Sequence, residues 1–137
     1  ADAESVTVVT DTSICSFAVK PIVRLNTAYT VTSDGRIEIA CNCEVEENNI
    51  WLPRFGYEFV MKAGAEYVKY FGYGPVETYA DRFASQLISE YSTTATDGFE
   101  HYIRPQECSS HYKTKTFMLK DIRYQFMDMK VHLSRSA

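Results

Sequence analysis

Val23-Arg24-Leu25-Asn26-Thr27-Ala28-Tyr29-Thr30-Val31-Thr32-Ser33-Asp34-Gly35-Arg36-Ile37-Glu38-Ile39-Ala40-Cys41-Asn42-Cys43-Glu44-Val45-Glu46 is the stretch that decides the fold class. In its first half Val23, Leu25, Thr27, Tyr29 and Val31 alternate with Arg24, Asn26, Ala28, Thr30 and Thr32. In its second half Ile37, Ile39, Cys41, Cys43 and Val45 alternate with Glu38, Ala40, Asn42, Glu44 and Glu46. A period of two is that of a strand with one face buried, because successive side chains point to opposite sides of a sheet. Ser33-Asp34-Gly35-Arg36 between the halves is a turn signal with Asp-Gly at its centre. The stretch predicts a long antiparallel hairpin with Cys41 and Cys43 on one face.

Outward from the hairpin the same character continues. Ser5 to Thr10 is rich in β-branched residues, and Phe55 to Lys62 and Glu66 to Tyr73 carry aromatics on either side of Gly64, which predicts a second hairpin. Phe117, Leu119 and Ile122 mark a further strand, and Met127, Met129, Val131 and Leu133 alternate with Asp128, Lys130 and His132. Tyr79 to Tyr91 is the one window with room for a short helix, inside an irregular stretch running from Gly72 to Tyr112. The sum is a mostly β fold, an antiparallel β-sandwich. A loop of that length is commonly functional or packed over a neighbouring surface. Strand patterns close to both termini lead us to expect residues 1–137 to be a single partial domain cut from a larger one.

Composition narrows the function classes. With 137 residues, 45 % hydrophobic and 14 % aromatic, the chain is too rich in apolar side chains for a disordered segment. No apolar run approaches the ~20 residues needed to cross a bilayer, and Ala1 to Val9 lack a signal-peptide pattern, so no membrane partner is expected. The net charge of −4, with no basic stripe, argues against nucleic acid. Cys15, Cys41, Cys43 and Cys108 form no CxxC pair and read as free thiols. His101, His111 and His132 lack metal-site spacing, and no Gly-x-Ser-x-Gly elbow is present.

Tyr70-Phe71-Gly72-Tyr73-Gly74-Pro75-Val76-Glu77-Thr78-Tyr79-Ala80-Asp81-Arg82 resembles the Gly-x-Gly-Pro-x-Glu-x-Tyr-x-Asp-Arg signature of the β-galactosidases of glycoside hydrolase family two. Leu52-Pro53-Arg54-Phe55-Gly56 precedes it at the spacing of that family, and Tyr102-Ile103-Arg104-Pro105-Gln106-Glu107 resembles the family's Tyr-x-Arg-Pro-Gln-Glu element. The early hairpin and Leu133-Ser134-Arg135 also fit. Cys108-Ser109 departs from the Asn-Gly found there in many members.

The resemblance implies a bacterial parent enzyme, cytoplasmic or periplasmic, that hydrolyses terminal β-D-galactosides with retention. It places this chain in the last domain, part of a supersandwich similar to galactose mutarotase, with the catalytic glutamates in a separate upstream barrel. By the same resemblance the chain is non-catalytic and needs no cofactor, while magnesium or sodium would serve other domains of the parent. Its partners would be those domains, and it would meet the galactoside only indirectly. A non-catalytic carbohydrate-binding β-sandwich module is the alternative.

Glu77 and Asp81 are a tempting carboxylate pair, but the implied role for them is to fix a loop by hydrogen bonding, with Arg82 as partner. Gly72, Gly74 and Pro75 read as a turn needing backbone conformations closed to other residues, and Tyr79 completes the motif. On that reading Gly74→Val disrupts far more than Thr78→Val. Arg104, Gln106 and Glu107 offer a guanidinium fork, an amide and a carboxylate to sugar hydroxyls, or else pin their loop to the sandwich. Tyr73, Tyr79 and Trp51 read as core aromatics before they read as sugar platforms. Unpaired edges around Val6 to Val9 and Met127 to Leu133 would favour self-association.

Overall fold

The computed structural model describes residues 4–15, 17, 20–46, 52, 55–61, 63–104, 107–121 and 128–132, the last group through its backbone. Seven strands are formed: β1 (Ser5–Cys15), β2 (Pro21–Thr32), β3 (Ile37–Val45), β4 (Ala65–Gly74), β5 (Leu87–Thr94), β6 (Thr116–Asp121) and β7 (Asp128–His132). All pairings are antiparallel, in one sheet ordered β1-β2-β3 and another ordered β5-β4-β6-β7. No helix occurs among the described residues. The all-β, antiparallel expectation holds. The chain divides into two compact units, residues 1–57 and 58–137, each carrying one sheet.

In the first unit the alternation works as read. Val23 pairs with Val45, Thr27 with Cys41 and Val31 with Ile37, so the apolar set of β2 lies beside that of β3. Val6, Val8 and Ile14 of β1 align with Val31, Tyr29 and Val23 on the same face. Val23 and Thr27 on the middle strand are 2 % and 4 % exposed, whereas Val6 and Ile37 near the turn end stay open to solvent. Thr27 Oγ1 lies 3.4 Å from Cys41 Sγ. Tyr57, past the end of β3, reaches both: the Cys41 thiol pushes its phenol pKa up and the Thr27 hydroxyl opposes that. The turn closes with the Gly35 amide donating to the Thr32 carbonyl at 3.0 Å, and Gly35 takes a φ of 83°. Asp34 accepts from Thr32 Oγ1 and from the Arg36 amide, and these bonds hold its carboxyl below its ordinary pKa.

The second unit is built around β4, whose two edges are taken by β5 and β6. That leaves no ladder position for a strand at 55–62, and the described residues there, Phe55 to Met61, form none. The second hairpin is thus corrected: Gly64, at φ 116°, leads into β4 without a preceding partner strand. Tyr79 to Tyr91 holds no helix; its end belongs to β5, and the irregular stretch is correspondingly interrupted. Leu87-Ile88-Ser89-Glu90-Tyr91 is compatible with either state by residue type. Pairing of Tyr91 with Tyr70, Ile88 with Tyr73 and Leu87 with Gly74 decides it, because strand preference is set largely by cross-strand neighbours. Strands β6 and β7 occupy the regions expected of them, while Ile122, Met127 and Leu133 lie outside the described residues.

Candidate functional site

On one face of β4 lies the row Tyr70, Gly72, Gly74, and the segment 110–114 crosses it. Tyr70 is 2 % exposed. Its hydroxyl donates to the Pro75 carbonyl at 3.1 Å, and its ring lies 4.1 Å from His111 and 5.6 Å from Tyr91. A Cβ on Gly72 would come within 2.9 Å of Thr114 Cα; one on Gly74 would come within 2.4 Å of Tyr70 Oη and 2.8 Å of the Tyr91 ring. These glycines are required for space. Positive φ among described glycines is confined to Gly35 and Gly64, so the expectation of a forbidden backbone conformation at Gly72 and Gly74 is corrected to one of close approach.

The chain leaves β4 through Pro75 and reaches a tight turn in which Tyr79 and Arg82 exchange backbone hydrogen bonds of 3.1 and 3.0 Å. Ala80 and Asp81 form its tip. Asp81 is exposed and has no side-chain partner among the described residues, while Arg82 is turned back over the Tyr79 ring at 5.0 Å. From there its guanidinium donates to Glu77 Oε1 and, at 2.7 Å, to Tyr102 Oη. Tyr102 in turn donates to Glu77 Oε1, and the Tyr79 hydroxyl lies 2.9 Å from Glu77 Oε2 and also against the Glu107 carbonyl. The Glu77 side chain is only 7 % exposed. A carboxylate withdrawn from water is costly unless donors replace its hydration, and here Arg82, Tyr79 and Tyr102 do so. Burial, with the Glu77 carboxylate beside it, pushes the Tyr79 phenol pKa up.

Thr78 stitches the same two segments from the other side. It is wholly buried, its amide donates to the Ser110 carbonyl at 2.7 Å, and its hydroxyl accepts from the Tyr112 amide at 2.8 Å. The sequence assigned Thr78 no such role: a threonine flanked by motif residues gives no signal, because its partners lie far along the chain. His111 was also missed as part of the knot. Burial lowers its pKa, while a backbone hydrogen bond with Tyr73 and the Glu77 charge oppose the shift; its Nδ1 is buried without a partner among the described residues. Tyr73, Phe83 and Tyr112 form a chain of rings, each step 5.1 Å, with the Lys113 ammonium 5.4 Å from both Phe83 and Tyr112.

Of the three residues proposed to meet sugar, Arg104 is exposed and makes no ion pair or hydrogen bond among the described residues. Gln106 lies outside them, as do Trp51, Pro53, Arg54 and Pro105. Glu107 takes part through its backbone carbonyl. Cys108 accepts the Glu100 amide through its carbonyl at 2.7 Å, so the Cys108-Ser109 turn joins the loop to its own start without a positive φ. No group of three or more His, Cys, Asp or Glu side chains placed to hold a metal ion occurs among the described residues.

The arrangement is a brace: one buried carboxylate and one buried hydroxyl tie residues 75–82 to Tyr102 and to residues 107–112. The sequence model of the β-galactosidase small chain matches residues 1–136. This chain belongs to that family. The chain is 33 % identical over 104 residues to a β-galactosidase of Staphylococcus xylosus, and 35 % identical over 100 residues to one of Actinobacillus pleuropneumoniae. Those stretches cover 76 % and 73 % of this chain but 10 % of each relative. A β-galactosidase small subunit of Latilactobacillus sakei is 33 % identical over 94 residues, which are 69 % of this chain and 29 % of that subunit. The chain thus spans about a tenth of the length of the first two relatives and corresponds to one region of each.

Proposed function

We propose that this chain is a non-catalytic, structural portion of a β-galactosidase that hydrolyses terminal β-D-galactosides with retention, and that its partners are the other domains of that enzyme. The observation that carries the reading is the engagement of Glu77. A retaining glycosidase needs two carboxyl groups ~5 Å apart, one to give a proton and one to attack carbon. Glu77 already accepts from Arg82, Tyr79 and Tyr102, and Asp81 stands exposed at a turn tip. Glu77 thus serves the loop, which offers a fixed surface for the rest of the enzyme. Magnesium or sodium, where the parent uses them, would belong to its other domains, and the galactoside would be met through the shape of the active-site mouth.

The test is turnover of a chromogenic β-galactoside by the chain alone. We expect none; activity that survives purification and disappears in Glu77→Gln would refute the reading. The same preparation, sedimented over a concentration series, checks whether β1 and β7, which end their respective sheets, promote self-association as open edges do. A strictly monomeric chain at all concentrations would remove that part of the proposal.

A further inference from the structure

The polar face of the first sheet carries an organised array that the brace does not use. Asp11, Asn26 and Asn42 are aligned across β1, β2 and β3, and Ser13, Arg24 and Glu44 form the adjacent aligned row. These six line a shallow groove of about 260 Å³. Strand spacing and pleat repeat set the array at about 5 Å by 7 Å, the scale of hydroxyls around one hexose ring. Asn26 Nδ2 donates to Asp11 Oδ1 at 2.6 Å, and Arg24 Nε donates to Glu46 Oε1 beside the groove. The side chains of Ser13, Asn42 and Glu44 have no partner among the described residues. The next row on the same face, Val9, Ala28 and Ala40, is small and apolar, and Val9 is 60 % exposed.

We infer that this groove is a binding site for a neutral monosaccharide unit. Each sugar hydroxyl both donates and accepts, so it needs mixed neighbours. Carboxylates of Asp11 and Glu44 accept, the Arg24 guanidinium donates, and the Asn26 and Asn42 amides do both. The volume lies just below the ~300 Å³ at which pockets for larger ligands begin, which suits one ring and not a chain of them. Rival ligands fit worse. With Asp11, Glu44 and Glu46 against Arg24, an anion is repelled, and the carboxylates do not meet a third ligand to hold a divalent cation. An open groove without an aromatic platform binds weakly, so we expect a dissociation constant of about 1 mM or more.

The inference does not depend on the non-catalytic reading, and turnover by the chain would leave it standing. Backbone amide NMR of the chain during titration with methyl β-D-galactoside tests it. We expect saturable shifts at residues 11–13, 24–26 and 42–44, and an apparent dissociation constant raised about fivefold or more in Asn42→Ala and in Glu44→Gln. Both positions are exposed, so a spectrum otherwise matching the parent chain verifies that each variant is folded. Absence of saturable shifts, equal binding by both variants, or shifts confined to residues 72–112 would overturn the site. Calcium chloride shifting the same amides where the sugar does not would overturn it in favour of a cation.

Discussion

Two glycine-bearing junctions do opposite things in this chain. The β2–β3 turn uses Gly35 for its backbone: φ is 83°, and no atom lies within 4 Å of where a Cβ would be. The exit of β4 uses Gly74 for its emptiness: φ is ordinary, but a Cβ would collide with Tyr70 and Tyr91. The first is a local requirement that any long hairpin shares. The second depends on side chains of its own strand and of β5, and it fixes where the braced loop begins. Identical residues thus report on different levels of structure, and mutation separates them.

The largest expected effect is at Gly74. Tyr70 is held by Pro75 and His111, and Tyr91 donates to the Leu87 carbonyl at 2.9 Å, so neither ring can yield freely to a new side chain. Gly74→Val should cost about 3 kcal/mol, the upper end for overpacking, against about 1 kcal/mol for Gly35→Ala, where only the backbone resists. Chemical denaturation of the two variants checks the ratio. Equal losses would mean that Tyr70 and Tyr91 move aside and that the comparison drawn above is wrong.

A smaller effect is expected at Thr78, where the loss is a hydrogen bond. Thr78→Val keeps the shape but leaves the Tyr112 amide without its acceptor, for a cost of about 2 kcal/mol. Thr78→Ser keeps the oxygen and should lose about 1 kcal/mol through its missing methyl. Hydrogen exchange sharpens the point: the Tyr112 amide should exchange faster in the valine variant and stay protected in the serine variant. Equal protection in both would remove Thr78 from the brace.

How much of this was legible follows from the range of the forces. The β2–β3 hairpin was readable because its alternation and its turn residues act between neighbours in sequence. The motif residues Glu77, Tyr79 and Arg82 were readable as a group through family resemblance, and Arg82 as a partner of Glu77 through charge. Asp81, in the same motif, is instead at an exposed tip, because the turn that brings Arg82 back to Tyr79 points its middle residues outward. Strand β5 was hidden because its residues fit a helix or a strand equally, and only the vacant edge of β4 selects between them. Thr78, Tyr102 and His111 acquire roles from contacts 20 or more residues distant, which leave no local pattern.

His111 offers the smallest and most specific test of the difference between locally and distantly determined sites. Burial beneath Tyr70 lowers its pKa from 6.5, with the Glu77 charge and the Tyr73 backbone only partly opposing. The unfolded chain therefore takes up a proton before the folded one does as pH falls. Linkage then requires stability that is fully present above 6.5 and declines below it, down to the folded pKa. Asp34 and Glu66 also have lowered pKa values, but their ordinary values of 3.8 and 4.5 put their losses in a more acidic window. His111→Gln, which cannot titrate, should flatten the melting temperature between pH 7 and pH 5 while leaving the steeper acid limb intact. An unchanged pH profile in that variant would show that His111 is not what couples the loop to protons.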